Sequence, residues 1–397
     1  MARFTALLSL LVIALGATAS PVPTSSTATM PIGRRFKTNS EGVAKIVEND
    51  RARIAQLKNV ANNKATSSKR AEYSFAVTNG AVSYYATVGV GSPATDYTLI
   101  VDTGSSNTWV GAYKRYTRTS TSKSTGGRVE VSYGSGEFEG TEYTDRVTLS
   151  SNLVITSQSI GVASYSEGFG DGVDGTVSNA NTVPTVTDNL YSQGTISADA
   201  VGVSFAPTTS ESDTNGELTF GGADTTKYTG TLNYVPLTTT EPASYYWGVD
   251  QAITYNGETI LAETAGIVDT GTTLLYIATD AYDRYVSATG ATLDSTTGLL
   301  EVSAAQYAAL QTLDFNIGGT TYGLTANAQL WPRSLNTYIG GSSGSLYLVV
   351  NDIGSNSGEG LDFINGYVFL ERFYTVFDTT TSSIGFATTS YTEATTN

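Results

Sequence analysis

The chain has 397 residues, including 21 lysines or arginines and 36 aspartates or glutamates, and it contains neither cysteine nor histidine. These two absences exclude a Ser-His-Asp triad, a Cys-His pair, a thiolate or imidazole zinc site and a redox dithiol. The chemistry left to the side chains is mainly carboxylate chemistry, supported by hydroxyl groups. Because no disulfide can form, stability has to come from a large hydrophobic core, which a chain of this length can build.

The net charge of −15 is unevenly distributed along the chain. Residues 20–70 carry a net charge of +7, whereas residues 71–397 carry −23. An acidic body repels the phosphates of nucleic acids, so no nucleic-acid partner is expected for it.

The N-terminus has the pattern of an export signal. Arg3 precedes an apolar run from Phe4 to Leu15, and the small residues Ala17, Thr18 and Ala19 follow. This pattern predicts a secretory signal peptide over residues 1–19, and therefore a secreted, extracellular protein. The apolar run is too short to favour a membrane anchor and no later segment is longer, so no membrane partner is expected.

Residues 20–70 differ in composition from the rest of the chain. They are basic, and they end at the dibasic pair Lys69-Arg70. Between residues 41 and 60 the apolar residues recur at helix-like spacing, at Val43, Ile46, Val47, Ile54 and Leu57. One interpretation is a solvated basic linker. The other is a basic pro-segment that lies against the acidic body at neutral pH and is released when the carboxylates protonate.

From residue 71 onward the sequence predicts an all-β protein. Short segments rich in β-branched and aromatic residues are bounded by Gly, Ser, Asn or Pro, at residues 84–90, 98–101, 128–133 and 217–220. Few helices are predicted, near residues 186–193, 280–288 and 304–312. The join between two β-rich lobes is expected near residues 236–245, which gives an N-terminal lobe over 71–237 and a C-terminal lobe over 238–397.

Two similar stretches, 167 positions apart, carry the candidate chemistry. In each, apolar residues lead into Asp-Thr-Gly, and hydroxyl residues and further apolar residues follow; the two aspartates are Asp102 and Asp269. Such a stretch is typical of a strand that feeds a tight turn, where glycine permits close backbone approach. Two copies indicate an internal duplication with one carboxylate in each half.

These stretches, with the segments around them, resemble the pepsin-like aspartic proteases, and most of all their fungal secreted members of the polyporopepsin type. The similarity extends from residue 84 to residue 389. It includes a flap-like hairpin at 132–136, the stretch 216–222, and two stretches near the end at 363–366 and 374–378, which look like closing strands of the C-terminal lobe. The resemblance implies an all-β, bilobal fold whose two β lobes are related by a pseudo-twofold axis, with an active-site cleft between them.

The resemblance implies that Asp102 and Asp269 are the catalytic pair of an aspartic endopeptidase. Two adjacent carboxylates cannot both ionise easily, so they share a proton; the aspartic proteases are the standard example. The pair then provides a base and an acid in one place. The base activates a water molecule, the acid polarises the scissile carbonyl, and no cofactor or metal is needed. Peptide or protein substrates, cleavage at acid pH, sensitivity to pepstatin-type inhibitors and a monomeric state are expected.

The resemblance also assigns supporting roles. The hydroxyls of Ser105 and Thr272 would orient the two carboxylates. Tyr133 would be the flap tyrosine that closes over the substrate, with Trp109 as its hydrogen-bond partner. The other expected flap and substrate-binding residues are Gly134, Ser135, Gly104, Gly271 and Thr273.

One stretch departs from the family pattern, in which each lobe threads an apolar-apolar-Gly strand beside its catalytic turn. In the C-terminal lobe this strand is Ile364-Asn365-Gly366. In the N-terminal lobe the corresponding stretch is residues 170–177, with Asp174 in the second apolar position. Either the loop closes differently and leaves Asp174 partly solvated, or the lobe has lost the strand that braces the Asp102 turn. The second reading leads to an alternative function, a catalytically impaired pepsin-fold protein that binds peptides or proteins.

Overall fold

The computed structural model describes residues 27–36, 43–66, 82–105, 107–133, 136–167, 175–178 and 184–396. Within these ranges the chain is mostly β. The N-terminal half contains β1 (Ala28–Phe36), α1 (Ile46–Thr66), β2 (Val82–Val90), β3 (Thr95–Asp102), β4 (Trp109–Val110), β5 (Lys123–Tyr133), β6 (Gly136–Ser150), β7 (Leu153–Glu167), β8 (Gly175–Ser178), α2 (Val186–Ser192), β9 (Ala200–Ser204), β10 (Ser212–Phe220) and β11 (Thr229–Pro236).

The C-terminal half contains the remaining strands and helices. They are β12 (Gly248–Tyr255), β13 (Glu258–Val268), β14 (Leu275–Ile277), α3 (Thr279–Thr289), β15 (Thr292–Leu293), β16 (Leu300–Val302), α4 (Ala304–Ala309), β17 (Leu313–Ile317), β18 (Thr320–Leu324), β19 (Leu346–Leu348), β20 (Val350–Asp352), β21 (Phe363–Asn365), α5 (Tyr367–Leu370), β22 (Phe373–Asp378) and β23 (Ser383–Thr388). Two 3-10 helices lie at Ala243–Tyr245 and Arg333–Ile339.

The short helices begin and end where local side chains satisfy the backbone. Thr185 caps α2, because its hydroxyl accepts from the N–H of Asp188 while the Asp188 carboxylate accepts from the N–H of Thr185. Ser303 and Gln306 form the same reciprocal cap at the start of α4. Helix α3 ends at Gly290, whose positive φ of 67° favours glycine. Helices α2, α3 and α4 begin within one residue of the predicted starts at 186, 280 and 304.

Hydrogen bonding among the described strands builds one large sheet and two smaller ones. The large sheet has the order β11-β23-β22-β9-β10-β1-β2-β3-β8-β4-β7-β6-β5, the second β18-β17-β12-β13-β21-β14-β20, and the third β15-β16-β19. Strand β22, expected among the closing strands of the C-terminal lobe, instead pairs with β9 and β23 in the large sheet. The C-terminal end of the chain therefore ties the two halves together, because it adds strands beside those of the N-terminal half.

The basic N-terminal segment is part of the folded structure where it is described. Strand β1 lies between β10 and β2 in the large sheet. Its residues Met30, Ile32 and Arg34 are buried, at 3%, 1% and 2% exposure. A solvated linker would expose all three, so that interpretation does not hold for residues 28–36. The dibasic pair Lys69-Arg70 lies outside the described residues.

The strand beside the Asp102 turn is present, but in a register that the sequence analysis got wrong. Strand β8 runs parallel to β3 with Val101 opposite Val177, just as Val268 lies opposite Asn365 in the C-terminal half. The positions equivalent to Ile364-Asn365-Gly366 are therefore 176–178, three residues later than expected. The reading in which this lobe has lost its bracing strand is wrong. Asp174 itself lies outside the described residues.

Candidate active site

The two Asp-Thr-Gly turns stand at the ends of equivalent strands. Asp102 is the last residue of β3, and Asp269 directly follows β13. Each strand is flanked by a parallel neighbour, β8 in one half and β21 in the other. This repeated arrangement delivers both carboxylates to one place, where they are buried at 1% and 0% exposure.

Backbone and hydroxyl donors orient the two carboxylates. The N–H of Gly104 donates to Oδ1 of Asp102 at 2.9 Å, and the N–H of Gly271 donates to Oδ1 of Asp269 at 3.1 Å. In the C-terminal half the Thr272 hydroxyl donates to Oδ2 of Asp269 at 2.5 Å. Ser105 is buried, at 1% exposure, in the turn that carries Asp102. Its expected bond to that carboxylate stays a prediction.

The glycines of the two turns are required by close approach rather than by backbone conformation. A Cβ on Gly104 would lie 2.8 Å from Oδ1 of Asp269, and one on Gly271 would lie 2.7 Å from Oδ1 of Asp102. Each glycine therefore leaves space for the carboxylate of the opposite turn. Any side chain at either position would push the two aspartates apart.

Arg53, which projects from helix α1, occupies the space between the two carboxylates. Its Nη2 lies 2.6 Å from Oδ1 of Asp102 and 2.8 Å from Oδ1 of Asp269. Its Nε also contacts Oδ2 of Asp269 at 2.7 Å. One nitrogen thus touches both inner oxygens, so the two carboxylates face the same point. No other molecule can occupy that point while Arg53 is there.

Burial and charge shape the protonation of this cluster. Burial raises the pKa of Asp102, the Asp269 carboxylate raises it further, and the Arg53 guanidinium opposes both. Burial alone would lower the pKa of Arg53, but the two carboxylates outweigh it, so the guanidinium stays charged. A buried charge of this kind is retained only when it is paired and hydrogen-bonded. Arg53 therefore favours the ionised form of Asp102, against the effect of burial.

The remainder of α1 packs along the C-terminal half. One face of the helix carries the buried residues Ile46, Asp50, Arg53, Ile54 and Leu57. The Asp50 carboxylate accepts from the N–H groups of Thr273 and Leu274 at 3.1 and 3.0 Å. Further along, the Tyr246 hydroxyl donates to the carbonyl of Leu57 at 2.9 Å. The helix is therefore held on both sides of Arg53, and Thr273, an expected substrate-binding residue, is covered by it.

On the other side of the cleft, β5 and β6 form the hairpin predicted to be a flap. Tyr133 pairs with Gly136 near its tip. Trp109, from β4, stacks on Phe138 of β6 with ring centroids 4.0 Å apart and an interplanar angle of 12°. Gly134 and Ser135 lie outside the described residues, and the contact between the Tyr133 and Trp109 side chains stays a prediction.

Asp50, Arg53 and Phe138 are site residues that the sequence analysis missed. For the first two a signal was present: in the predicted helix they fall at positions 4 and 7 after Ile46, on the same face as Ile54 and Leu57. A charge on the apolar face of a helix marks a specific buried partner. For metal binding, the ranges that the structure describes contain no group of three acidic side chains that could hold an ion.

Comparison with known proteins decides the family. The family model described as eukaryotic aspartyl protease matches residues 83–389. The chain belongs to this family. Polyporopepsin from Irpex lacteus is 61% identical over 335 residues, which cover 81% of this chain and 98% of that protein. Pepsin A from Sus scrofa is 31% identical over 338 residues, covering 77% of this chain and 80% of its own.

A solved structure supports the same assignment for the fold. The crystal structure of aspartic proteinase from Irpex lacteus superposes with a TM-score of 0.78 at 52% sequence identity, covering 94% of this chain and all of that one. The predicted all-β, bilobal, pepsin-like fold is confirmed, and so is the family of aspartic-type endopeptidases. Among the described residues, no helix is long and apolar enough to cross a membrane.

Proposed function

We propose that the chain is the secreted precursor of an endopeptidase that hydrolyses internal peptide bonds at acid pH. Residues 1–19 direct export and are removed. Residues 20–70 hold the enzyme latent, and cleavage at Lys69-Arg70 leaves residues 71–397 as the mature enzyme. The mature enzyme acts outside the cell as a monomer, with lobes over 71–237 and 238–397.

One observation supports this proposal above all others. A single nitrogen of Arg53 contacts the inner oxygens of Asp102 and Asp269, at 2.6 and 2.8 Å. Carboxylates this close share one proton once the guanidinium is removed, because like charges a few ångström apart cannot both ionise easily. The residue that blocks the site thus also marks where a water molecule and a scissile carbonyl would meet.

The chemistry uses only groups of this chain. With Arg53 gone, the deprotonated aspartate takes a proton from the water and the protonated one donates a hydrogen bond to the substrate carbonyl. Water attacks the carbonyl carbon directly, so no covalent enzyme intermediate forms. The C–N bond then breaks as the aspartate that took the proton from water gives it to the leaving amine. The N–H groups of Gly104 and Gly271 keep the two carboxylates aimed at the reacting carbon. The pair titrates as a unit, so neither aspartate is assigned as the sole base.

Acid pH would have two effects: it would release helix α1, and it would supply the proton shared by Asp102 and Asp269. Residues 20–70 have a net charge of +7 and residues 71–397 a net charge of −23, so the two parts attract each other at neutral pH. Protonation of surface carboxylates weakens that attraction. The same acid supplies the proton that Asp102 and Asp269 share. The tip of the β5–β6 hairpin, with Tyr133, would then close over an extended peptide that carries bulky apolar residues beside the scissile bond.

The test compares the wild type with Asp102→Asn and Asp269→Asn after activation, using a peptide assay at about pH 3–5. We expect pepstatin-sensitive cleavage by the wild type and almost none by either variant. Asp283→Asn is the matched control, because Asp283 is exposed on α3. Cleavage by either dyad variant at the wild-type rate would refute the proposed chemistry.

The alternative of a peptide-binding protein without catalysis depended on a missing strand beside the Asp102 turn. Strand β8 occupies that place. No described feature favours the alternative over catalysis.

A further inference from the structure

The carboxyl group of Asp50 lies in a site made entirely by the C-terminal half. Its Oδ1 accepts from the N–H of Thr273 at 3.1 Å and its Oδ2 from the N–H of Leu274 at 3.0 Å. Asp50 itself is 0% exposed. Two adjacent backbone donors, one for each oxygen, match a carboxyl group better than a peptide carbonyl, which offers a single oxygen.

Two hydroxyl groups complete this site. The hydroxyl of Thr273 interacts with the Asp50 carboxyl, and that of Tyr276 faces it from β14. Tyr276 is 0% exposed. A hydroxyl can donate to a carboxylate or accept from a neutral carboxyl group. We call these two N–H groups and two hydroxyls the carboxyl socket.

The pseudo-twofold repeat shows why the socket opens toward the cleft. Tyr276 lies opposite Ile364 in the C-terminal half, and Trp109 lies opposite residue 176 in the N-terminal half, so the two aromatic residues are equivalent. Trp109 is covered by Phe138, which belongs to the hairpin of its own lobe. The equivalent place in the C-terminal half is covered by Asp50, on the segment proposed to leave. Removal of α1 therefore uncovers the socket.

The charges around the socket select the form of its ligand. Arg53 leaves together with Asp50, so the Asp102–Asp269 pair, with the one negative charge left by its shared proton, is the charged group that stays near the socket. An ionised carboxylate would then be repelled, and a neutral carboxyl group would not. Even beside Arg53, burial raises the pKa of Asp50 to about 7, although the two N–H donors lower it. At the proposed working pH the group held there is neutral.

We propose that the carboxyl socket is a substrate subsite of the mature enzyme and that it takes the side chain of an aspartate or glutamate as a neutral carboxyl group. Asp50 occupies it in the precursor as an internal ligand. Asp50 precedes Arg53 by three residues, about 4.5 Å along a helix axis, so the subsite belongs to a peptide bound at the catalytic pair. This inference rests on the proposed function, because it requires the helix to leave.

The first test uses the activated enzyme and extended peptides with a central pair of bulky apolar residues. One aspartate is moved through the positions on either side of the scissile bond and compared with asparagine and leucine at the same position, at about pH 3.5, where aspartate is largely neutral. We expect one position at which the aspartate peptide has a kcat/KM roughly tenfold above both others. Equal values at every position would overturn the proposal.

The second test assigns that preference to the socket. Tyr276→Phe and Thr273→Val should each lower the ratio of aspartate to leucine cleavage at the favoured position. Tyr285→Phe is the matched control, because Tyr285 is equally buried in the same half but donates to Gln329. A ratio unchanged by Tyr276→Phe and Thr273→Val, or reduced as much by the control, would place the preference elsewhere.

A binding experiment separates failure of the socket from failure of the protease. A peptide of residues 43–66 is titrated into the activated protein, alongside the same peptide with Asp50→Leu. We expect the leucine peptide to bind at least tenfold more weakly, whether or not the protein cleaves substrates. Loss of all cleavage with this difference intact would refute the proposed function alone. Equal binding of both peptides would refute the socket.

Discussion

Thr103 and Thr270 hold the two Asp-Thr-Gly turns together by exchanging hydrogen bonds. The N–H of Thr103 donates to Oγ1 of Thr270 at 3.0 Å, and the N–H of Thr270 donates to Oγ1 of Thr103 at 3.1 Å. Both side chains are buried, at 2% and 1% exposure. The distance between the two aspartates therefore depends on two threonine hydroxyls.

This relationship predicts a cost for removing one hydroxyl. Thr270→Val leaves the buried N–H of Thr103 without its acceptor, which costs about 1–3 kcal/mol of unfolding free energy. Thr270→Ser keeps the oxygen and should cost less. Urea denaturation of the precursor measures both. Equal stability of the valine and serine variants would contradict the role of the hydroxyl.

Arg53→Ala should weaken the latency of the precursor. Breaking a buried ion pair from one side costs about 3–5 kcal/mol, so docking of α1 becomes much less favourable. With Lys69→Ala and Arg70→Ala added to block cleavage, the Arg53→Ala precursor should hydrolyse peptides under conditions in which the intact precursor does not. Arg51→Ala is the control, because Arg51 is exposed on the same helix. If the Arg53→Ala precursor hydrolyses peptides no faster than the Arg51→Ala control, another contact maintains latency.

Phe138→Leu should impair the flap more than it impairs the fold. Phe138 is 0% exposed, and its stack on Trp109 connects β6 to the strand that follows the Asp102 turn. Loss of an aromatic pair costs about 0.5–1.5 kcal/mol beyond burial, so we expect kcat/KM to fall several-fold, mainly through KM. Phe315→Leu makes the same change in the core of the other half, where Phe315 packs against Phe369. Similar kinetics for the two variants at similar stability would contradict a positioning role.

Arg34→Ala should destabilise the precursor strongly. The Arg34 guanidinium lies 3.6 Å from Glu371 and donates to the Tyr367 hydroxyl at 3.2 Å. Burial raises the pKa of Glu371, and the charge of Arg34 opposes this. Removal of Arg34 therefore leaves the buried Glu371 carboxylate without its ion-pair partner. We expect a loss of about 3–5 kcal/mol in unfolding free energy. The neighbouring Arg35 is exposed, and Arg35→Ala should change stability by about 0.5 kcal/mol or less.

Both arginines precede Lys69-Arg70, so the mature enzymes made from the two variants should melt identically. A precursor in which Arg34→Ala and Arg35→Ala behave alike would mean that Glu371 is satisfied without Arg34.

Asp199 should make the protein less stable as the pH rises toward neutrality. Burial, a hydrogen bond with Asp188 and the charges of Asp188 and Asp378 together raise the pKa of Asp199 to about 7. The unfolded value is about 3.9, so the folded state binds the extra proton between about pH 4 and 7, and stability falls across that window. Repulsion within the acidic body adds to this loss. Thermal melts at pH 4 and 7 should show a smaller difference for Asp199→Asn than for wild type.

Asp283→Asn is the control for this experiment, because it removes one surface acid without a buried partner. A wild-type protein that melts higher at pH 7 than at pH 4 would contradict the general trend. If the melting temperatures at pH 4 and pH 7 differ as much in Asp199→Asn as in the wild type, the pH dependence arises from repulsion among the other acidic residues and not from Asp199.

Strands and helices of this protein could be predicted from the sequence because each depends on residues close together in the chain. The predicted strand segments are rich in β-branched and aromatic residues and are bounded by Gly, Ser, Asn or Pro, and the helix-like spacing from Ile46 to Leu57 does form part of α1. The repeated Asp-Thr-Gly stretches likewise pointed to Asp102 and Asp269 as a pair, and the structure brings the two side chains together. The proposed division into signal, pro-segment and lobes stays a prediction.

The register of a strand and its partners in the sheet could not be predicted in the same way, because they depend on residues far apart in the chain. The bracing strand was assigned three residues too early, because glycines at 170, 172 and 175 offer several local matches and only pairing with Val101 selects one. Likewise, β22 was expected among the closing strands of the C-terminal lobe, although its partners β9 and β23 lie in the large sheet.

By itself the sequence determined the kind of chemistry, because a chain without histidine and cysteine but with two matched Asp-Thr-Gly turns is left with carboxylates. Only the tertiary structure decided what those carboxylates touch. Arg53 precedes Asp102 by 49 positions and Asp269 by 216. No periodicity connects residues so far apart. They meet because α1 packs across both turns, and a buried arginine is retained only where carboxylates pair with it.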